Sequence, residues 1–149
     1  MKPKKIREVF LPPKVVFFKP QGTFLRETEI INLNIDEYEA IRLADYEKLK
    51  HYESSKMMNI SRPTFTRLLE SAHNKISSAI VEGKAIRIEG GEFKFSGKVF
   101  QCNKCGQFQN LKNEKDNAGI CSNCSSDDLT EISADSFRRF RRGRWRNKP

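Results

Sequence analysis

The sequence predicts a mainly α N-terminal domain, a three-helix helix-turn-helix unit with an extended N-terminal arm and a β-hairpin, followed by a small β ribbon closed by cysteines. Apolar residues recur at three- and four-residue steps between Phe65 and Ile80, which indicates one long amphipathic helix. Alternating apolar residues follow Gly83 and indicate strands. All four cysteines then fall within residues 102–124. With 149 residues, 37% hydrophobic and 32% charged, the chain has room for one or two small domains.

Residues 1–33 are extended in character and are predicted to form a basic arm that packs on the helical unit. The Pro12-Pro13 pair breaks any helix. The apolar run Val15–Phe18 is typical of a strand, and Pro20-Gln21-Gly22 indicates a turn. The arm carries seven Lys/Arg against three Glu, so we expect it to contribute contacts with phosphates.

Two helices are predicted after the arm. Asn34 and Glu37 have the spacing of a capping box, which places the start of a helix that runs to about Tyr46. A second, short helix is predicted from His51 to Met58. The residues expected to be buried along this stretch are Tyr38, Ile41, Ala44 and Leu49.

The third helix is predicted over 62–82 and is separated from the second by a tight turn. The turn needs a residue with positive φ, which Asn59 supplies best among the non-glycine residues. Ser61 is a suitable N-cap, and Pro63 falls in the first turn, where a missing N–H costs nothing. Gly83 suits a left-handed end. The predicted buried stripe is Phe65, Leu68, Leu69, Ala72, Ile76, Ala79 and Ile80.

This turn is typical of two short helices that pack at a steep angle, with the second helix entering a DNA groove. Ser55 is small where the two backbones should come closest, whereas Ser54 occupies a position at which an apolar side chain is expected. The alternative is an ordinary helical hairpin. The N-terminal positions of a recognition helix contact base edges, so the predicted DNA-binding residues are Ser61, Arg62, Pro63, Thr64, Thr66 and Arg67.

Four stretches have a distinctive order and spacing: Phe18-Lys19-Pro20-Gln21-Gly22, Leu43-Ala44-Asp45-Tyr46-Glu47, Ser61-Arg62-Pro63-Thr64-Phe65-Thr66-Arg67 and Gly83-Lys84-Ala85-Ile86-Arg87-Ile88-Glu89-Gly90-Gly91. Over residues 4–95 they resemble an uncharacterised prokaryotic family of small predicted DNA-binding proteins, whose helix-turn-helix is similar to region four of bacterial sigma factors. The resemblance implies DNA binding and transcriptional regulation, but no target gene. The chain departs from the family pattern at Ser54-Ser55, where small apolar residues are usual.

The helix-turn-helix domain is predicted to end at residue 97 with a β-hairpin. Ile86, Ile88, Phe93 and Phe95 alternate on either side of the Gly90-Gly91 pair, which favours a glycine turn between two strands. Because an isolated hairpin is only marginally stable, we expect it to pack on the helices or to lead into the next element.

Residues 98–134 contain Cys102-x-x-Cys105 and Cys121-x-x-Cys124, separated by fifteen residues. Two such turns complete a tetrahedron of thiolates, and Gly106 suits the left-handed residue that such a turn needs. The segment resembles zinc ribbons, which implies one structural Zn²⁺ with no open coordination position and a module whose folding depends on the metal. Disulfides and an iron site of the rubredoxin type are the alternatives.

Residues 135–149 are predicted to be a disordered basic tail, and the last thirteen carry seven Lys/Arg and no acid. Ser136 and the residues before it show no clear helix start. The tail is suited to contacting phosphates, and Phe137, Phe140 and Trp145 to stacking on unpaired bases, whereas the alternative is a solubilising end. The predicted phosphate-binding residues are Arg138, Arg139, Arg141, Arg142, Arg144 and Arg146.

The sequence argues against an enzyme, because it contains no glycine loop for phosphates and no nucleophile beside a base. His51 and His73 lie on predicted helices without other ligands at metal spacing. The ribbon is acidic, and four thiolates add negative charge, so we expect it to contact a protein and not phosphates. An enzyme or redox protein that uses the four cysteines is a third alternative for the function. The net charge of +9 favours a polyanionic partner.

We therefore expect a sequence-specific regulator that binds double-stranded DNA. The alternative is an RNA- or ribosome-associated protein that uses the ribbon and the Arg/aromatic tail. No run approaches the roughly 18 apolar residues of a membrane span and no signal peptide is evident, so we expect a cytoplasmic protein without a membrane partner. The transcription machinery and a second copy of the chain, as a homodimer, are the other partners considered.

Overall fold

The computed structural model describes residues 5–112 and 119–138. The chain divides into two compact units. We call the first, Met1–Val9 with Val15–Phe93, the helical unit, and the second, Phe10–Lys14 with Lys94–Pro149, the cysteine unit. The predicted division into four segments (1–33, 34–97, 98–134 and 135–149) stays a prediction. No described helix has the length and apolar character needed to cross a membrane.

The helices of the helical unit lie close to where the sequence predicts them. A 3₁₀ turn at Leu25–Glu27 precedes them, and a π-helical turn at Arg42–Tyr46 continues the first helix. In that turn the Glu47 N–H donates to Arg42 O over 2.9 Å, five residues back along the chain. The α-helices are α1 (Ile35–Ile41), α2 (His51–Met57) and α3 (Arg62–Glu82).

Strands account for more of the described chain than the sequence suggests, so the prediction of a mainly α domain is wrong and the protein is a small α/β protein. The described strands are β1 (Arg7–Val9), β2 (Phe17–Phe18), β3 (Ile30–Leu33), β4 (Ala85–Ile88), β5 (Phe93–Phe95), β6 (Lys98–Cys102), β7 (Phe108–Leu111) and β8 (Leu129–Ile132). They form three sheets, in the orders β2-β4-β3, β1-β5 and β7-β6-β8.

The prediction failed because the arm is a structural part of a sheet. Strand β4 lies between β2, to which it is antiparallel, and β3, to which it is parallel. The register places Phe17 opposite Arg87, and Ile31 opposite Ile86. These pairings join residues more than fifty positions apart, so local sequence patterns do not reveal them.

The predicted β-hairpin between β4 and β5 is also wrong, because β4 pairs with β2 and β3 while β5 pairs with β1. Gly90 and Gly91 both have positive φ, at 82° and 84°. The Gly90 carbonyl accepts the N–H of Ile35 over 3.1 Å. A Cβ on Gly91 would lie 3.2 Å from Asn34 Cβ and from Asp36 Oδ1. The two glycines therefore wrap closely around the start of α1 instead of closing a two-residue turn.

The apolar core of the helical unit forms between α1, α2 and α3. Phe65 and Met58 are both fully buried. Tyr38, Ile41, Ala44 and Leu49 are only half-buried, because the deepest positions go to neighbouring residues of α1 and the π-helical turn. Ile80 is 74% exposed, so its predicted burial is wrong, and Ile76 is half-buried. The core cluster is Ala40, Leu43, Met58, Phe65, Leu68 and Leu69.

The cysteine unit is built on the antiparallel sheet β7-β6-β8, in which Phe100 lies opposite Gln109 on one side and Glu131 on the other. A helical turn over 134–138 follows β8. Its start was missed in the sequence: the Ser133 hydroxyl accepts the Ser136 N–H over 3.0 Å, which is an N-cap. The turn buries Phe137, whose ring meets Phe95 edge-on at 6.5 Å between centroids.

Candidate nucleic-acid interface and metal centre

A helix, a tight turn and a second helix form the most regular feature of the helical unit. Asn59 has φ of 57°, as predicted, and follows the C-cap Met58. The Ile60 N–H donates to Ser55 O over 3.0 Å and so closes the turn. Because Met58 is fully buried, the turn is anchored in the core and fixes the angle between α2 and α3.

The start of α3 agrees in detail with the sequence. Ser61 has extended backbone angles, and its Oγ accepts the Thr64 N–H over 3.3 Å. Pro63 occupies the first turn of the helix, and Gly83 ends it with φ of 68°. The predicted N-cap, proline position and left-handed end are therefore confirmed.

The predicted contact residues differ in how accessible they are. Ser61, Arg62, Pro63 and Arg67 are exposed, whereas Thr64 and Thr66 are half-buried. Within residues 5–112 and 119–138, no carboxylate lies in ion-pair range of either Arg62 or Arg67. The two guanidinium groups are therefore available to a ligand at the N-terminal end of α3.

Thr66 is held by the helix before it. Its Oγ1 lies 3.0 Å from Nδ1 of His51, the first residue of α2. The His51 ring also meets Phe65 edge-on, with 5.3 Å between centroids and 69° between planes. His51, which the sequence analysis treated as an ordinary helical residue, thus fixes the orientation of a predicted contact residue.

The two serines of α2 behave differently. Ser55 is buried where α2 turns toward α3, and its Oγ donates to Tyr52 O over 2.7 Å. Ser54 is fully buried, and its Oγ has no hydrogen-bond partner among the described residues. The departure from the expected apolar residue at Ser54 therefore leaves an unsatisfied hydroxyl in the core.

Three carboxylates of α1 are buried, a feature that the sequence analysis missed. Asp36, Glu37 and Glu39 are only 2–3% exposed. Each has a basic partner: Asp36 accepts from Arg7 Nη1 at 2.8 Å, Glu37 from Lys75 Nζ at 2.7 Å, and Glu39 from two nitrogens of Arg42 at 2.7 and 2.9 Å. The basic partners offset part of the penalty of desolvation, and removing one of them would leave an uncompensated buried charge.

Burial and pairing shift the pKa values of two of these groups. Burial raises the pKa of Asp36 above its usual value, although the Arg7 guanidinium opposes the shift. The hydrogen bonds that Arg42 donates to the Glu39 carboxylate raise the pKa of Arg42. Glu37 also accepts from Ser71 Oγ at 2.7 Å, so one carboxylate of α1 binds two residues of α3. The network therefore fixes the position of α3 against α1.

In the cysteine unit, the two Cys-x-x-Cys turns have the same backbone hydrogen bonds. The Cys102 N–H donates to Gln107 O over 2.9 Å, and the Cys121 N–H donates to Ser126 O over 2.8 Å. In each turn the fifth residue has positive φ: 79° at Gly106 and 62° at Ser125. The left-handed glycine is confirmed, and the second turn achieves the same geometry with serine.

The four cysteine sulfurs converge on one point. Cys102 Sγ lies 3.5 Å from Cys124 Sγ, Cys105 Sγ lies 3.6 Å from Cys121 Sγ, and all four sulfurs lie within 4.8 Å of one another. A tetrahedral Zn²⁺ with Zn–S bonds of 2.3 Å requires about 3.8 Å between sulfurs. The cluster therefore fits a single tetrahedral metal ion.

The pKa values of the cysteine thiols are also consistent with binding of a cation. A hydrogen bond from the Gln107 amide lowers the pKa of Cys105 to about 6. The Ser126 amide acts in the same direction on Cys124, but burial and the three neighbouring sulfurs outweigh it and raise the pKa of Cys124 to about 11. Since four thiolates repel one another in this space, full ionisation needs a positive ion between them.

The tail residues are described only in part. Arg138 pairs with Asp135 over 2.9 Å. Phe137 is buried, so the expectation that its ring is free to stack on bases is wrong. The remaining predicted tail contacts, Arg139, Arg141, Arg142, Arg144 and Arg146, lie outside the described residues.

Comparison with known proteins gives consistent matches. A family model described as "Protein of unknown function DUF134" matches residues 1–96. The UPF0251 protein of Chloroherpeton thalassium is 41% identical over 147 residues, which cover 99% of this chain and 96% of the relative. That of Moorella thermoacetica is 39% identical over 144 residues, covering 97% and 95%. That of Methanothermobacter thermautotrophicus is 37% identical over 142 residues, covering 95% and 73%. No solved structure matches. These matches do not test the similarity to sigma-factor region four, which stays a prediction.

Proposed function

The chain belongs to the family described as "Protein of unknown function DUF134", and from this starting point we propose that it is a sequence-specific regulator of transcription that binds double-stranded DNA. In this proposal α2, the turn at Asn59 and α3 act as a helix-turn-helix, and α3 enters the major groove. The protein acts in the cytoplasm and is not an enzyme.

One observation carries the proposal: Arg62 and Arg67 are exposed, with no acidic partner among the described residues, in the N-terminal half of a helix whose other face packs into a core. An exposed arginine on a rigid helix is the group that binds the O6 and N7 acceptors of guanine with two hydrogen bonds. Pro63 lies between them and adds no N–H that would need a partner.

Thr66 has a separate role in this proposal. Its hydroxyl is engaged by His51, which leaves its methyl group as the part that meets a base. A methyl group makes apolar contact with the C5 methyl of thymine in the major groove. Arg67 and Thr66 would therefore read neighbouring base pairs, one through hydrogen bonds and one through apolar contact.

The cysteine unit has a supporting role. One structural Zn²⁺ held by Cys102, Cys105, Cys121 and Cys124 fills all four positions with protein ligands, so that no position is left for water or substrate. We assign the acidic ribbon to contact with another protein, such as the transcription machinery. The basic residues of 139–149 add phosphate contacts that do not depend on sequence.

The test begins with selection of bound duplexes from a random pool, followed by competition between the selected site and a scrambled one. Replacement of Arg67 by Ala should cost about 1–3 kcal/mol of discrimination at one base pair. Arg67→Lys is the matched control, because it keeps the charge but loses the two-pronged hydrogen bond. Removal of 139–149 should instead weaken all duplexes alike and flatten the dependence on salt.

Three outcomes would count against the proposal. The pool could yield no enriched site, Arg67→Ala could lower affinity equally for every sequence, or RNA could outcompete every duplex at matched salt. The last result would favour the RNA-associated alternative. A palindromic selected site would in addition indicate that two copies of the chain bind together.

A further inference from the structure

An exposed turn that is rich in aromatic residues lies in the N-terminal arm of the helical unit, well before α3 in the sequence. We call residues 17–26 the aromatic turn. Phe18 and Phe24 are 53% and 65% exposed, and they are the exposed phenylalanines among the described residues. Leu25 beside Phe24 is also exposed. Exposed large apolar side chains that follow one another within a short stretch of chain are candidates for a binding surface.

Local hydrogen bonds and a left-handed glycine define the conformation of the turn in which the rings are exposed. Gly22 has φ of 87°, and Thr23 Oγ1 donates to Pro20 O over 3.2 Å. The Phe24 carbonyl accepts from Thr28 Oγ1 over 2.9 Å and from the Glu27 N–H over 3.0 Å. The Phe24 carbonyl is therefore bound by two groups that follow it in the chain, while its side chain is 65% exposed.

Basic groups accompany the rings. The Arg26 guanidinium lies 5.2 Å from the centre of the Phe24 ring, and that of Arg87 lies 5.6 Å from the Phe17 ring. Lys19 is exposed next to Phe18. No acid occurs between Glu8 and Glu27 in the sequence. The aromatic turn thus combines flat rings with the positive charges of Lys19 and Arg26 and contains no acidic residue, whereas Arg87, outside the turn, pairs with Glu89 over 3.9 Å.

We propose that the aromatic turn is a second nucleic-acid-binding surface, which binds an unpaired strand of DNA or RNA. In this proposal unpaired bases stack on Phe24 and Phe18, while Arg26 and Lys19 bind phosphates of the same strand. Stacking on phenylalanine does not select among bases, and cations track the backbone, which together are the features of surfaces that bind single strands. Bases inside an intact duplex are already stacked, so this surface is separate from duplex reading by α3.

The experiment uses the full zinc-loaded chain and fluorescence anisotropy with labelled dT20, rU20 and a 20-base-pair duplex. We expect Phe18→Ala and Phe24→Ala each to weaken binding of the single strands by about tenfold, with binding of the duplex changed less than twofold. Phe24→Trp should retain single-strand binding, because a larger ring still stacks. The dT20 and rU20 arms distinguish DNA from RNA as the strand that is preferred.

Tyr46→Ala is the matched control, because Tyr46 is an exposed aromatic residue (79%) outside the aromatic turn, and its replacement should leave every affinity unchanged. Unchanged binding of both single strands by the Phe18→Ala/Phe24→Ala variant would overturn the proposal. A second result would also overturn it: the native chain binds vesicles with 30% phosphatidylserine, and the double variant loses binding to the vesicles but keeps binding to the single strands. Loss of duplex selectivity in Arg67→Ala with intact single-strand binding would separate the two surfaces.

Discussion

The helical unit and the cysteine unit both turn the chain sharply at a non-glycine residue with positive φ, but they stabilise that turn in different ways. Asn59 is followed by Ile60 and preceded by Met58, which belongs to a cluster of six buried apolar side chains. Ser125 follows Cys124, one of four cysteines whose sulfurs lie within 4.8 Å of one another. The comparison teaches that the same local geometry accompanies buried apolar surface in one unit and a cysteine cluster that fits a metal ion in the other.

The largest expected effect comes from removing the metal. A strong chelator, or Cys121→Ser, should unfold the cysteine unit, because binding of structural zinc contributes about 10–16 kcal/mol to the folding of small zinc modules. Amide NMR spectra of the full chain should lose dispersion for 98–112 and keep it for α1, α2 and α3. Collapse of both sets of signals together would mean that the two units do not differ in the way described. The number of zinc ions per chain, expected to be one, can be measured on the same samples.

The second prediction concerns the apolar core of the helical unit. Phe65→Ala should cost about 3–5 kcal/mol, because it opens a cavity in the centre of the core cluster. Urea unfolding followed by circular dichroism at 222 nm measures the loss, and a colorimetric zinc assay shows whether the cysteine unit keeps its metal. Ile80→Ala is the matched control, since Ile80 is exposed and its loss should change stability little. Equal losses in the two variants would contradict the assigned core.

A smaller effect of opposite sign is expected at Ser54. Its buried hydroxyl has no partner among the described residues, so Ser54→Ala should raise the free energy of unfolding by about 1 kcal/mol. Ser55→Ala is the control, because the Ser55 hydroxyl donates to Tyr52 O and its removal should not stabilise. Thermal denaturation of the two variants and of the native chain measures the change in stability. A lower melting temperature for Ser54→Ala than for the native chain would refute the prediction.

An effect of similar size should appear at the left-handed residues of the cysteine turns. Ser125→Gly relieves a side chain from the left-handed region and should stabilise the metal-bound turn by about 1 kcal/mol, whereas Gly106→Ala should destabilise it by a similar amount. Competition for zinc with a chromophoric chelator measures both, as a change of roughly fivefold in apparent affinity. Two shifts of the same sign would show that backbone strain does not decide the stability of these turns.

The parts that were predictable depend on neighbours in the sequence. The caps at Asn34, Ser61 and Gly83 need only residues within one helical turn. The Cys-x-x-Cys spacing is likewise enough to predict two tight turns whose sulfurs face one point. The π-helical turn leaves no comparable local signal. Leu43 at its start is buried, whereas Tyr38 in the preceding regular helix is only half-buried, and the sequence does not distinguish the two.

The parts that were missed depend on distant pairs. The carboxylates of α1 look like a solvated helix face until Arg7 and Lys75, 29 and 38 positions away, are placed beside them. The strands of the arm look like cover for the helices until β4, at the other end of the unit, pairs with them. The Gly90-Gly91 pair has the composition of a hairpin turn, but its role is to admit the start of α1.

The binding of one carboxylate by two residues of a neighbouring helix also limits how this protein can change over generations. Replacement of Glu37 alone would leave the Lys75 ammonium partly buried without a counter-charge, and replacement of Lys75 alone would do the same to Glu37. An apolar contact of equal stability needs coordinated substitutions at both positions and at Ser71. These three sites should therefore drift as a set, and grafting any one of them from a divergent relative should fail unless the other two accompany it.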